Sequence, residues 1–188
     1  RPRVAIISTG DEIIPPGDEM TYGGVYDSNA AILAAAVEEL GGQPVVMGCF
    51  GDDEHQLTTA VHAALENDIV VLSGGTSKGA GDLSYQVVER LPAPGIVAHG
   101  VALKPGKPIC LAVTGNKPIV ILPGFPTSAV FTFHEFVAPL IRGLAGRPQA
   151  DRPVISALLP MRVNSQRGRT EYLLTNLAPG EDGLAAYP

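Results

Sequence analysis

Between residues 3 and 144, short apolar runs alternate with longer stretches whose apolar positions recur every three or four residues. The runs at 3–8 (RVAIIS), 44–50 (PVVMGCF), 69–72 (IVVL), 96–101 (IVAHGV), 109–113 (ICLAV) and 119–122 (IVIL) predict strands. The unbroken run 69–72 is what a strand carries when helices cover both faces of its sheet. Residues 28–40, 53–66, 83–91 and 127–144 have the helical period. In 28–40, Ile32, Leu33, Ala36, Val37 and Leu40 fall on one face, Asp27 or Ser28 is placed to cap the free N–H groups, and Gly41 supplies the stop. In 53–66, Leu57, Val61, Ala64 and Leu65 share a side and Asp53 occupies the cap position. In 127–144, Val130, Phe133, Val137, Leu140, Ile141 and Leu144 are expected to point inward, with Thr127 or Ser128 as cap. Thr114-Gly115-Asn116-Lys117-Pro118 reads as a tight hairpin between its two flanking strands.

Strands alternating with helices predict an α/β fold, a three-layer α/β/α domain on a mostly parallel sheet, over residues 1–146. Near Gly146-Arg147-Pro148 the pattern changes. Residues 153–162 (PVISALLPMR) and 169–177 (RTEYLLTNL) then predict strands about a Gln166-Arg167-Gly168 turn. No helical pattern follows, so 147–188 read as the opening part of a small β domain.

Composition narrows the function classes. Of 188 residues, 45% are hydrophobic and 17% charged, enough for a packed core and against disorder. No apolar run approaches 18 residues, so no membrane span is expected, and no signal peptide is visible. Because the chain opens on Arg1, it is expected to be a piece of a longer protein. The net charge of −6 argues against a nucleic-acid or membrane-surface partner, which needs a basic field. An anionic ligand then requires a local cluster of positive groups. Cys49 and Cys110 both lie in strand-like runs and read as unpaired core residues, which fits the cytoplasm. His55, His62, His99 and His134 show no metal-ligand spacing, and no Ser/His/Asp or Cys/His arrangement is present.

In open sheets of this kind ligands bind beyond the carboxyl ends of the strands. Polar or glycine-rich stretches lie just after the predicted strands: Ser8-Thr9-Gly10-Asp11-Glu12, Gly51-Asp52-Asp53, residues 73–82 (SGGTSKGAGD), Lys104-Pro105-Gly106-Lys107-Pro108 and residues 122–128 (LPGFPTS). Gly74, Gly75, Gly79 and Gly81 let successive backbone N–H groups face an anion without side-chain obstruction. The helix expected after Asp82 adds partial positive charge. There is no GxxxxGK[ST] and no GxGxxG after the first strand, so neither a Walker-type NTPase nor a plain Rossmann dehydrogenase is indicated. Lys104 and Lys107 sit in a Pro-Gly-Pro frame, a rigid spacing of two ammonium groups that suits a compact oxyanion, though they also read as solvated lysines about a turn. Asp11, Glu12, Asp52, Asp53 and Asp82 fall at strand ends, where carboxylates would hold Mg²⁺ beside a phosphate or simply cap turns and helices.

STGDE (8–12), YDSN (26–29), GDD (51–53), SGGTSKGAGD (73–82), KPGKP (104–108) and LPGFPTS (122–128), in that order, resemble the molybdopterin molybdenumtransferase family of MoeA and gephyrin E-domain type. GRTEYLL (168–174) resembles the opening of that family's C-terminal β-barrel domain, which assigns 147–188 to the barrel's N-terminal part. The resemblance implies insertion of molybdate into adenylylated molybdopterin with release of AMP, assisted by Mg²⁺, in a full-length protein that is a homodimer. It implies Glu12, Asp53 and Asp82 as acidic and metal-binding residues, and Lys104, Lys107 and Arg169 facing molybdate. Thr9, Gly10, Asp11, Gly74, Gly75, Ser77 and Gly79 would cradle the pterin nucleotide, with Pro123, Gly124, Pro126 and Ser128 as the opposite wall. Phe125 stands where many members of that family have Asn. Two alternatives on this fold are a molybdopterin adenylyltransferase and a non-catalytic module binding pterin or partner proteins. Ser77, where the adenylyltransferase has glycine, and KPGKP favour the molybdenumtransferase.

Overall fold

The computed structural model describes residues 1–74, 83–148, 153–180 and 183–188. In chain order the elements are β1 (Arg3–Thr9), β2 (Ile13–Ile14), β3 (Val25–Tyr26), α1 (Ser28–Glu39), β4 (Gln43–Phe50), α2 (Glu54–Ala64), β5 (Ile69–Ser73) and α3 (Leu83–Glu89). There follow β6 (Pro94–His99), β7 (Leu103–Lys104), β8 (Cys110–Thr114), β9 (Lys117–Leu122), α4 (Pro126–Thr132), a π-helical turn (Phe133–Val137) and α5 (Ala138–Leu144). The last elements are β10 (Thr170–Glu171), β11 (Asn176–Gly180) and β12 (Gly183–Tyr187).

Six strands form the main sheet in the order β4-β1-β5-β9-β8-β6. The first four run parallel, while the Thr114–Lys117 hairpin turns β8 antiparallel to β9, and β6 closes the edge antiparallel to β8. Successive side chains of a strand face opposite ways, and here both faces are covered. Val4, Ile6, Ile69, Val71, Val120 and Leu122 pack under Leu33, Val37, Phe133, Val137 and Ile141. Ala5, Ile7, Val70, Leu72, Ile119 and Ile121 pack under Leu57, Val61, Val87 and Val88 from α2 and α3. The expected three layers are therefore present, and each fully buried Ile, Leu or Phe in them contributes about 2 kcal/mol.

Helix ends follow local chemistry. Asp27, not Ser28, caps α1, its Oδ1 accepting from Ala30 N at 2.9 Å. Asp53 caps α2 in the same way, accepting from Gln56 N at 2.9 Å. Thr127 and Ser128 do not cap α4: Pro126 takes the first helical position and Phe125 the cap position, with no side-chain hydrogen bond. Pro is suited there because its fixed φ is already helical and its missing N–H would be unpaired anyway.

Three inward expectations are corrected. Ile32, Leu140 and Leu144 are exposed. On α1 the buried stripe is Ala30, Leu33 and Val37, and Ile32 falls off it. The segment 127–144 is interrupted by the π turn immediately before Pro139. Proline has no N–H for the carbonyl four residues back, and a π turn adds a residue to the helical repeat. The inward face beyond it is therefore Val137, Ala138 and Ile141 rather than the phase carrying Leu140 and Leu144.

Residues 153–162 are not a strand; within them only Leu158 makes a bridge, to Ala185. A strand needs a neighbour to satisfy its ladder, and the described residues supply one only at Leu158, whose N–H donates to Leu184 O and whose carbonyl accepts from Ala186 N. Val154 is 90% exposed and Ile155, Leu158, Leu159 and Met161 are exposed as well. The 169–177 prediction resolves into β10, which pairs parallel with β7, and the start of the β11–β12 hairpin. No helix among the described residues is long and apolar enough to cross a membrane.

Candidate functional site

Because β1, β4, β5 and β9 are parallel, their carboxyl ends share one edge of the sheet. The loops there are tied to one another. Gly10 N donates to Phe50 O at 3.0 Å, and Asp52 N donates to Asp11 Oδ1 at 2.8 Å, which binds the loop after β1 to the loop after β4. Thr9 Oγ1 lies 3.3 Å from Ser84 Oγ of α3 in a buried hydrogen bond. Gly74 sits between the other two ends. Its φ is +112°, a Cβ there would lie 2.2 Å from Thr9 O, and one on Gly124 would lie 3.6 Å from Gly74 Cα. Gly74 N donates to Leu122 O at 3.3 Å. Only a residue without a side chain lets three backbones approach this closely.

The proline-framed turn is seated beside this edge. Val101 N donates to Lys107 O at 2.9 Å and Ile109 N to Gly106 O at 3.2 Å. Gly106, at φ +106°, faces α4: a Cβ there would lie 2.2 Å from Thr132 Cγ2. Thr132 is oriented by its hydroxyl, which donates to Ser128 O at 2.7 Å. The turn carrying Lys104 and Lys107 therefore packs on the helix that follows Pro123-Gly124-Phe125.

The cations differ in their surroundings. Lys104 Nζ lies 2.7 Å from Glu171 Oε1 on the paired strand β10. The Glu171 carboxyl is held below its usual range, first by the hydrogen bond from Lys104 and then by one from the Ser165 hydroxyl. Lys107 is exposed and has no carboxylate partner among the described residues. Arg169, one residue ahead of β10, donates to Gln166 Oε1 at 3.1 Å. The β7–β10 pairing thus brings the Arg169 backbone beside the proline-framed turn.

Among the carboxylates, Asp53 has both oxygens engaged by Gln56, through its backbone N and its side-chain amide. The backbone N–H of Gln56 is the main reason that its carboxyl is held below the ordinary aspartate range. Glu12 is exposed and folds back over Gly10. No three His, Cys, Asp or Glu side chains gather as a metal site among the described residues. A Mg²⁺ ion that keeps most of its water needs only one or two carboxylates beside phosphate oxygens, and Glu12 is available for that. Gly75, Ser77, Gly79 and Asp82 lie outside the described residues. Pro123 is buried, Ser128 half-buried, and Gly124 and Pro126 are exposed. Phe125 is 82% exposed.

Cys49 is half-buried and Cys110 buried, and neither forms a disulfide among the described residues. Burial, and then the neighbouring Asp27 carboxylate, pushes the Cys49 thiol up to about 11. It stays protonated at neutral pH and is no nucleophile.

One residue escaped the sequence reading. Asn29 of YDSN donates from Nδ2 to Ser73 Oγ and to Gly124 O, each at 2.8 Å, and so joins the β5 and β9 loops. The signal was its place in the first turn of a capped helix facing the strand ends. A cavity of about 700 Å³ is lined by Pro126, Phe131, His134, Arg142, Tyr172 and Leu174. The loops after β1, β4, β5 and β9 lie on the strand edge.

Residues 5–143 match the family model described as a probable molybdopterin binding domain. The chain is 36% identical over 181 residues to the Mycobacterium tuberculosis protein named molybdopterin molybdenumtransferase 2, covering 92% of this chain and 44% of that protein. It is 39% identical over 158 residues to the molybdopterin molybdenumtransferase of a Nostoc species, covering 82% of this chain and 36% of that protein. The crystal structure of a molybdopterin biosynthesis MoeA protein from Pyrococcus horikosii superposes with a TM-score of 0.71 at 42% identity, covering 78% of this chain and 36% of that one. The chain thus spans less than half the length of these relatives. By the model that matches most of its length, and with its strand ends and proline-framed turn arranged as described, the chain belongs to the molybdopterin-binding domain family.

Proposed function

We propose that this chain is part of a molybdenum cofactor enzyme that inserts molybdate into adenylylated molybdopterin and releases AMP. The observation that carries the reading is the seating of Gly106 on Thr132. It makes the lysine turn and the Pro123–Ser128 segment one unit, beside the edge where Gly74 meets Thr9 and Gly124. Molybdate, the pterin phosphate and AMP are all anions, and a chain of net charge −6 needs such a local arrangement to collect them.

Lys107, with no carboxylate of its own among the described residues, meets molybdate as a point charge. Lys104 holds β10 through Glu171 and thereby keeps Arg169 beside the turn. Gly74, whose own N–H goes to Leu122 O, leads into Gly75, Ser77 and Gly79, which receive the pterin phosphate on backbone N–H groups, with Thr9, Gly10 and Asp11 alongside. Pro123, Gly124, Pro126 and Ser128 form the facing wall. Glu12, Asp53 and Asp82 would hold Mg²⁺, which when bound neutralises charge building on the leaving phosphate. No covalent nucleophile is used. The full-length protein acts in the cytoplasm as a homodimer.

The test is AMP release from adenylylated molybdopterin by the full-length protein, with and without molybdate and Mg²⁺. Release is expected to require both, and Asp82→Asn is expected to abolish it. Release that ignores molybdate, or full activity in Asp82→Asn, overturns the reading.

A further inference from the structure

Asn29 is the second residue of α1, and its amide spans two loops of the strand edge. A backbone carbonyl only accepts, so the bond to Gly124 O requires that the NH₂ end faces the loop. The same NH₂ donates to Ser73 Oγ. Oδ1 then points the other way, where it is buried without a hydrogen-bond partner among the described residues. Ser8 Oγ, on the strand position paired with Ser73, is likewise buried and unpartnered. Buried polar atoms are rarely left unsatisfied, and where they are, the arrangement serves something other than stability.

The loop that Asn29 holds has little else to fix it. Pro123 and Pro126 have no N–H, Phe125 projects into solvent, and α4 has no side-chain cap. The bond from Asn29 is the only side-chain tie to residues 123–126 among the described residues. We propose that Asn29 is a positioning residue of the site. It holds the Gly124 carbonyl against the end of β5 and so fixes the Pro123-Gly124 wall of the strand edge that receives the phosphate of a pterin nucleotide. The inference rests on that edge being the pterin-nucleotide site.

The test uses the full-length protein and two substitutions. Asn29→Asp keeps size and can still accept from the Ser73 hydroxyl, but sets an oxygen against the Gly124 carbonyl. Ser73→Ala removes the other bond and leaves the Gly124 tie. In molybdate-dependent AMP release, Asn29→Asp is expected to raise KM for adenylylated molybdopterin about tenfold, the effect of one lost hydrogen bond, with kcat changed far less. Ser73→Ala is expected to stay near wild type. Hydrogen exchange at Gly74, whose N–H donates to Leu122 O across the same junction, should quicken in Asn29→Asp while residues 33–39 of α1 stay protected, which a general loss of stability would not produce. Should the aspartate variant fail to fold, Asn29→Ala removes the donor without adding charge and carries the same expectation. An unchanged KM in an active enzyme overturns the positioning role and leaves the site standing. Absence of molybdate-dependent release in wild type overturns the site reading instead, and the exchange measurement then decides the tie alone.

Discussion

At the scale of single residues, the site depends on side chains that are absent. Gly106 is the sharpest case, because two separate constraints meet there: a φ of +106° and a methyl group, Thr132 Cγ2, occupying the place of a Cβ. Gly106→Ala is expected to cost about 2 kcal/mol, combining backbone strain with overpacking. The two contributions separate in a double-mutant cycle. Thr132→Ser removes the clashing methyl and keeps the hydroxyl that donates to Ser128 O, so Gly106→Ala with Thr132→Ser should recover part of the loss in urea unfolding and retain the strain. A Gly106→Ala protein as stable as wild type would show that the turn is not seated on α4. The sequence displayed the glycine and its prolines, but not the threonine it packs against, 26 positions away by residue number. Motif reading finds residues that need special backbone; it does not find the ordinary residue that creates the need.

At the scale of elements, the carboxylate caps were legible, while the start of α4 and the phase behind it were not. Asp27 and Asp53 stood before helical patterns and cap them, because a short carboxylate reaches back to free N–H groups at that spacing. Asp53 also sits in the GDD motif, so its conservative change separates charge from capping. Its carboxyl is held below the ordinary value, so the stabilisation from ionised Asp53 is present above about pH 4 and is lost as pH falls through the depressed value. Asn is an equally good cap without the charge. The melting temperature of Asp53→Asn should therefore lie below wild type at pH 7 and converge with it as pH falls through the depressed value; a gap independent of pH would remove the charge from the account. The phase error over 127–144 has a different origin. Phe133, Val137 and Ile141 face inward as the period predicts, but the π turn ahead of Pro139 shifts the register, bringing Ala138 inward and leaving Leu140 and Leu144 outward. An apolar pattern carries no mark of such an insertion beyond the proline itself. The failed strand at 153–162 was an error of context, since its apolar residues await a neighbour that the described residues supply only at Leu158.

At the scale of the whole molecule, an acidic chain keeps a few cations where parallel strands end, and part of what holds them comes from beyond the α/β body. Parallel topology sends alternate turns to one side, so the loops after β1, β4, β5 and β9 share the strand edge. The order of motifs along the sequence did not foretell that Lys104 would be paired with Glu171, since no local pattern links β7 to β10. That pairing ties residues 170–172 to the sheet domain through Thr170 N to Ala102 O at 2.9 Å, Tyr172 N to Lys104 O at 2.7 Å and the Lys104–Glu171 ion pair. The ring of Tyr172 stacks on Phe131 and its hydroxyl donates to Glu135 at 2.7 Å. The ion pair makes the junction sensitive to pH. The Glu171 carboxyl is lowered in the folded state, so its contribution is present above the ordinary glutamate value and is lost as pH falls through the lowered one. Lys104 is half in solvent, so salt weakens the pair as well. In a pH titration followed by NMR, the amide resonances of Thr170 and Tyr172 should shift together below about pH 4.3 and show less of their neutral-pH protection, with the effect starting at higher pH in strong salt. Glu171→Gln keeps a hydrogen-bond acceptor for Lys104 and has nothing to titrate, so the same resonances should stay flat through that window; if they move as in wild type, the junction is governed by another group and the ion pair is incidental to it.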